Sequence, residues 1–301
     1  MKNTTKEAFF AKLALFGAAL IWGSSFIMMK TTVDSLAPCY LLACRFSIGC
    51  ILLAVIFHKK LKLITKEYLW QGAIIGFLLF TGYCVQTYGL AETTPGKNAF
   101  LTTIYCVIVP FLYWLVDKNK PDFYNIAAAI LCVGGIGFVS LTGDFSIGRG
   151  DFLTICCGFL YAGHLVFISK FNRTKDAVLL TILQFGFAAV FALIAAVLFE
   201  APPTSISIGT VKSLLYLSVF ATAIALCLQN VGQKYTHPSS ASIILSLESV
   251  FGVIFSVLLY GEQLTSRLIV GFILIFASVI LSETKLSFLV RRKDEEELSV
   301  E

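Results

Sequence analysis

Gln86-Thr-Tyr-Gly89-Leu-Ala-Glu-Thr93-Thr-Pro95 returns 143 residues later as Gln229-Asn-Val-Gly232-Gln-Lys-Tyr-Thr236-His-Pro238, with Gln, Gly, Thr and Pro in register. A similar offset, 140, aligns Trp22-Gly23-Ser24 to Lys30 with Ala162-Gly163-His164 to Lys170. Biased composition alone could yield scattered identities. These fall at corresponding ends of corresponding apolar runs, so a duplication is expected.

Outward from these matches, apolar runs predict helices at about 12–30, 37–57, 69–90, 97–116 and 123–141, then at about 151–169, 177–199, 211–230, 238–259 and 265–283. At a rise of 1.5 Å per residue, about 20 apolar residues span the hydrocarbon layer, and nearly every run reaches that length. The runs are continuous and rich in Leu, Ile and Ala rather than alternating, which argues against a β-barrel. With 57% hydrophobic residues, 14% charged residues and a mean hydropathy of +0.85, this chain of 301 residues has too little polar surface to cover a water-soluble globule. The expected fold is an all-α integral membrane protein of ten transmembrane helices in two five-helix repeats, residues 1–143 and 144–290, with a charged cytoplasmic tail at 291–301. An odd number of helices per copy sets the copies in opposite orientations, an inverted repeat of the kind common in secondary transporters. The join, Thr142 to Gly150, holds three glycines. The first run precedes nine others and lacks a small-residue cleavage site, so it reads as a retained helix rather than a signal peptide.

Charge sets the orientation. If the N-terminus is cytoplasmic, 17 of the 23 basic residues fall on inner segments, five on outer ones (Lys30, Lys97, Arg149, Lys212, Arg267), and Arg45 lies within a helix. That asymmetry places both termini inside. The net charge of +5 therefore reports membrane insertion and not nucleic-acid binding. Nine cysteines sit in or beside apolar runs without CxxC or Cys/His ligand spacing, and read as small packing residues.

The chain resembles the drug/metabolite transporter superfamily, EamA type. The likeness rests on Leu20-Ile-Trp-Gly-Ser-Ser-Phe26, on Arg45, and on Leu247-Glu248-Ser-Val-Phe251 running on to Tyr260-Gly261-Glu262-Gln-Leu-Thr265 and Gly271. Ser249 stands where the family usually carries proline, which removes the cause of a kink in the ninth helix. The resemblance implies two inverted halves around a central cavity and movement of small metabolites by alternating access. It also implies a secondary transporter of amino acids or related polar compounds, with efflux as the expected direction, in the plasma membrane.

Physical chemistry selects candidates for the cavity wall. A charge near the bilayer centre costs at least about 2.5–3.5 kcal/mol on insertion scales, so it should face the bundle interior or water. Arg45 lies roughly 12 Å below the outer end of the second helix and Glu248 roughly 15 Å above the inner end of the ninth. The depths agree within a helical turn, so the two could form an ion pair, either a static brace or a site in which Arg45 meets an anionic substrate group while Glu248 meets an ammonium group or a coupling proton. Further candidates are Trp22, Ser24, Tyr83, Gln86, Tyr105, Tyr161, His164 and Gln229, with Gln184 and Asn230 beside them; packing and interhelical hydrogen bonds are the plain alternative for each. Gly72 and Gly76, and the Gly134, Gly135, Gly137 cluster, are expected to let helices approach within the monomer; no oligomer is implied.

Enzyme chemistry has little support. Pro95-Gly96-Lys97 lacks the earlier glycine and the final hydroxyl residue of a phosphate loop, and HExxH and GxSxG do not occur. No cofactor or metal is expected. The partners implied are a small-molecule substrate, membrane lipid and protons as a coupling ion. A lipid-linked carrier or headgroup translocase on the same scaffold is the alternative function. The Asn172 sequon falls in an expected cytoplasmic loop and should not be glycosylated.

Overall fold

The computed structural model describes residues 2–118, 120–141, 147–236 and 238–284. The charged tail, His237 and most of the join between the halves lie outside the described residues. The helices are α1 (Lys2–Val33), α2 (Pro38–Ile56), α3 (Lys66–Ala91), α4 (Pro95–Thr102), α5 (Tyr105–Asp117), α6 (Phe123–Ser140), α7 (Arg149–Asn172), α8 (Ala177–Phe199), α9 (Ile208–Tyr216), α10 (Ala225–Lys234), α11 (Pro238–Phe255) and α12 (Ser266–Thr284). A 3₁₀ turn, His58–Leu63, joins α2 to α3. Among the described residues, nine helical stretches are long and apolar enough to cross a membrane. The expected tenth span is α12, whose apolar part, Ser266–Leu281, is shorter than the other nine.

Local chemistry sets the ends. Thr65, Thr94, Asp122, Asp176 and Ser207 cap helix N-termini by accepting a backbone N–H, and Pro38 and Pro95 occupy the first turns of α2 and α4. The spans expected at 97–116 and 211–230 are not single α-helices. The first breaks at Thr103–Ile104 between α4 and α5, and Pro110 lies inside α5. The second contains a π-helical stretch, Leu217–Ile224, between α9 and α10. By contrast α11 runs unbroken through Ser249, whose hydroxyl donates to the Ser246 carbonyl at 2.7 Å.

Polarity is inside out relative to a soluble globule. Ile51, Val55, Leu115, Ile130, Val133, Val197, Phe199 and Leu258 are exposed, whereas Arg45, Gln86, Asn98, Gln184, Gln229, Asn230 and Glu248 are buried. An apolar exterior is the surface that lipid solvates, so this is a multi-pass membrane protein.

The helix pairs exchange with one another when the halves are exchanged. α1 packs on α11 and α10; its counterpart α7 packs on α4, α5 and α3. α2 packs on α8, and α6 on α12, each pair being its own counterpart. A Cβ on Gly89 would fall 2.7 Å from Thr154 of α7, and one on the equivalent Gly232 would fall 2.7 Å from Leu15 of α1. Gly135 likewise meets Ile275 while Gly271 meets Val139. Even the turns correspond: the fourth span ends in a left-handed residue, Lys118 (φ 59°), and the ninth in Gly261 (φ 74°), 143 positions on. These reciprocal contacts are the pattern of an inverted repeat.

Candidate functional site

The π-helical stretch shapes the middle of the bundle. A π-turn leaves carbonyls displaced from α-helical register. Here Trp22 Nε1 donates to the Ala221 carbonyl at 2.9 Å, and Thr222 Oγ1 donates to the Leu217 carbonyl at 2.8 Å. Thr222 in turn accepts from Arg45 Nε at 3.0 Å, Nη1 of Arg45 lies 2.9 Å from Met29 Sδ, and the guanidinium sits 4.9 Å from the Tyr83 ring centroid. Arg45 is thereby held as a buried cation by a hydroxyl, a thioether and an aromatic face.

Beside it lies a central cavity of about 50 Å³. Its wall includes Trp22, Tyr83, Gln86, Tyr105, Tyr161, His164, Gln229 and Glu248, eight of the ten residues selected from the sequence. Tyr105 donates to Glu248 Oε1 at 3.1 Å. Tyr161 donates to Gln86 Oε1 at 2.8 Å, and Gln86 Nε2 donates to Thr102 at 3.0 Å. His164 Nε2 lies 3.0 Å from Gln184 Oε1, which ties the imidazole to α8. Tyr83 and Tyr161 meet edge to face, with centroids 5.5 Å apart. The result is an aromatic chamber with one carboxylate and two amides on its wall.

Two candidates lie elsewhere. Ser24 donates to the Ile21 carbonyl at 2.8 Å and lies 2.5 Å from the Tyr216 hydroxyl, outside the cavity wall. Arg45 stands behind Tyr83 rather than on the wall, and Arg45 and Glu248 do not pair; each has the partners named above. Equal depth in the membrane does not fix the direction in which a helix points its side chain, and each residue turns that direction by about 100°. Gln184 and Asn230 are buried behind the wall, Asn230 donating to Thr181 at 2.7 Å. Sequence reasoning missed Ser25, Phe26, Met29, Leu79, Leu165, Leu226 and Leu245, which complete the wall. As small or apolar residues inside apolar runs they carry no distinguishing signal.

The end of the bundle where α3 meets α4 is closed by charge. Asp151 of α7 binds Lys97 Nζ at 2.5 Å and accepts from Thr93 at 2.6 Å. Glu262 accepts from Thr94 at 2.5 Å and from the Gly96 N–H at 2.9 Å, and also from Ser256, so its carboxylate sits at the N-terminus of α4. Lys30 donates to the Leu90 and Ala91 carbonyls at 2.8 Å.

Known proteins share this architecture. The model of the EamA-like transporter family matches residues 9–141 and again residues 148–284. An uncharacterized transporter of Archaeoglobus fulgidus is 34% identical over 276 residues, covering 90% of this chain and 85% of that one. A probable amino-acid metabolite efflux pump of Salmonella typhimurium is 24% identical over 301 residues, covering 95% and 97%. A solved crystal structure aligns with a TM-score of 0.67 at 17% identity, covering 94% of this chain and 98% of that one, a likeness of fold. The chain belongs to the EamA-like transporter family and is a membrane transporter of small molecules rather than an enzyme.

Proposed function

We propose that the protein is a secondary transporter that exports amino acids or closely related small polar metabolites by alternating access across the plasma membrane. Both termini face the cytoplasm, and ten helices form two inverted five-helix repeats, residues 1–143 and 144–290. The carrying observation is the central chamber: a carboxylate, Glu248, held by Tyr105 among Trp22, Tyr83, Tyr161, Gln86 and Gln229. Glu248 receives the substrate ammonium group or the coupling proton. The aromatic faces take the side chain, and the two amides orient the polar end.

Movement is supported by volume. A water needs roughly 10–15 Å³ of such space, so a chamber of about 50 Å³ holds a few waters and no metabolite. Helices must therefore part for a substrate to pass, and closure at one end by Asp151, Lys97 and Glu262 supports an arrangement in which the ends open in turn. The direction of transport is supported by the efflux function named for the Salmonella relative. The cytoplasmic placement of the termini is supported by the excess of Lys and Arg on that side.

Counterflow tests this reading. Purified protein in liposomes loaded with a metabolite mixture is expected to exchange labelled amino acids, but neither nucleosides nor sugars. Exchange is expected to respond to a pH gradient in the wild type and not in Glu248→Gln. Retention of the pH response by Glu248→Gln removes Glu248 as the proton carrier. Failure of every soluble class to exchange, from folded protein, favours instead a lipid-linked carrier or headgroup translocase.

A further inference from the structure

Two thiols meet where α2 begins. Cys39 is the second residue of α2, Cys84 lies towards the end of α3, and their sulfurs are 3.8 Å apart. A disulfide needs about 2.05 Å between sulfurs, and rotation of a thiol about its Cα–Cβ bond moves the sulfur further than the difference. The bond is within reach of side-chain rotation. Other thiols are directed at backbone carbonyls: Cys50 at Ile182, Cys106 at Ser242 and Cys157 at Thr154.

The surroundings hold the pair in place. Glu200, at the end of α8, accepts from the Cys39 N–H at 2.8 Å, from the Tyr40 N–H at 3.1 Å and from the Tyr88 hydroxyl of α3 at 2.6 Å. The start of α2 is thereby fixed to α8. Cys39 is buried and Cys84 partly exposed, so a reagent reaches Cys84 first and leaves Cys39 to complete the bond.

The second half of the chain shows that packing does not require both sulfurs. Cys84 returns as Cys227, 143 positions on, but the second residue of α8, the counterpart of α2, is Val178. Val178 and Cys227 belong to one apolar cluster. One sulfur and one aliphatic side chain fill that crossing.

Cys84 is also placed to act on the chamber. It adjoins Tyr83 and lies one residue short of a turn that brings Gln86, and both of these line the wall, to which α2 lends no residue. A bond from Cys84 to Cys39 would tie the wall-bearing part of α3 to α2, and through α2 to α8. Helices that must part for a substrate would then be held together.

We propose that Cys39 and Cys84 are a dithiol site that a small-molecule disulfide oxidises to a cross-link, and that the cross-link stops transport. The Cys84 thiol loses its proton and attacks one sulfur of the reagent RSSR, forming a mixed disulfide and releasing one RSH. The Cys39 thiol then loses its proton, attacks the Cys84 sulfur and releases the second RSH; two protein thiols are oxidised and one RSSR is reduced. With both termini cytoplasmic, α2 starts on the outer side, where disulfides persist. The bond itself stands on the geometry, while its effect on exchange rests on the transporter reading above.

The test treats full-length protein in liposomes with an aromatic disulfide, dithiodipyridine, and reads peptide mass maps and amino-acid counterflow side by side. The wild type is expected to yield a peptide pair joined through Cys39 and Cys84 and to lose exchange, with dithiothreitol reversing both. Cys39→Ser is expected to carry only the pyridyl adduct at Cys84 and to keep exchanging, and Cys39→Ser/Cys84→Ser to exchange with or without the reagent. Folded wild type that gains the Cys84 adduct but no joined peptides overturns the site. Joined peptides with undiminished exchange, or equal loss of exchange in Cys39→Ser, overturn the stop on transport and leave the transporter reading standing. Wild type that exchanges no amino acid before treatment removes that reading and the stop with it, and the joined peptides still decide the bond.

Discussion

Arg45 is a buried cation with no carboxylate against it among the described residues, so its tolerance in the bundle rests on Tyr83, Thr222 and Met29. A desolvated cation over an aromatic face gains about 2 kcal/mol, more than at an exposed site. A double-mutant cycle with Arg45→Met and Tyr83→Leu should therefore show a favourable coupling of about 1–2 kcal/mol in detergent unfolding. A coupling near zero would mean that Thr222 and Met29 suffice to hold the guanidinium. Glu248 and Tyr105 belong to the same scale: Tyr105→Phe removes the hydroxyl donor and should lower the apparent affinity in counterflow with little loss of fold, because the ring still fills its place. The sequence singled out both charges, since a charge inside an apolar run is conspicuous. It left open whether they pair, because depth is legible along one helix and azimuth is not. Ser169 Oγ and Asn172 Oδ1, buried without a hydrogen-bond partner among the described residues, carried no signal in the sequence beside the lysines and arginine around them.

At the scale of single helices, α6 offers a paired comparison. A Cβ at Gly135 would lie 2.7 Å from Ile275 Cγ1 and 2.9 Å from its backbone nitrogen, whereas nothing lies within 4 Å of one at Gly134. Gly135→Ala should destabilise by about 1–3 kcal/mol through overpacking, and Gly134→Ala should be neutral or stabilise by up to about 1 kcal/mol through helix propensity. Thermal unfolding in detergent reads both, and equal shifts would refute the α6–α12 contact. The start of α8 gives a pH prediction. Burial raises the Asp176 carboxyl, while the Lys60 ammonium and the Leu179 N–H lower it, and the net lies below its ordinary value. A depressed carboxyl contributes stability above its unfolded value, about 4, and loses it as pH falls through the lower folded value. Asp176→Asn should thus melt lower than wild type at pH 7, with the gap closing as pH falls below about 4. A gap unchanged down to that range would show that the cap acts without its charge. Helix positions were legible because length and hydropathy decide them. The break at Thr103–Ile104 and the π-turns at Leu217–Ile224 and Ser256–Tyr260 were not, since a run that is apolar on every face has no period from which to read a change of helical register.

For the whole molecule, duplication explains both the symmetry of the scaffold and the inequality of its ends. Gly89 and Gly232 hold equivalent crossings, while at one end Asp151 binds Lys97 and at the other, where the corresponding part of α1 has Ala11-Lys12, a cavity of about 290 Å³ lies between α5, α7 and α10. A bundle that holds a buried ion pair at one end should rest in the state that keeps the pair, with its population set by the strength of that pair. Asp151 is 4% exposed and Lys97 23%, so the pair is worth more than a surface contact, and removing it should shift the balance by roughly 1–2 kcal/mol, about tenfold. Trp22 in the chamber reports the shift once Trp70 and Trp114, both on the exterior, are replaced by Phe. Iodide added outside liposomes of uniform orientation should then quench Trp22 more strongly in Asp151→Asn than in the parent, with Lys97→Met matching it and the double variant adding nothing further, because both act through one contact. Quenching unchanged in Asp151→Asn would mean that Glu262 at the N-terminus of α4 suffices to hold this end shut, and combining Asp151→Asn with Glu262→Gln would then be required to open it.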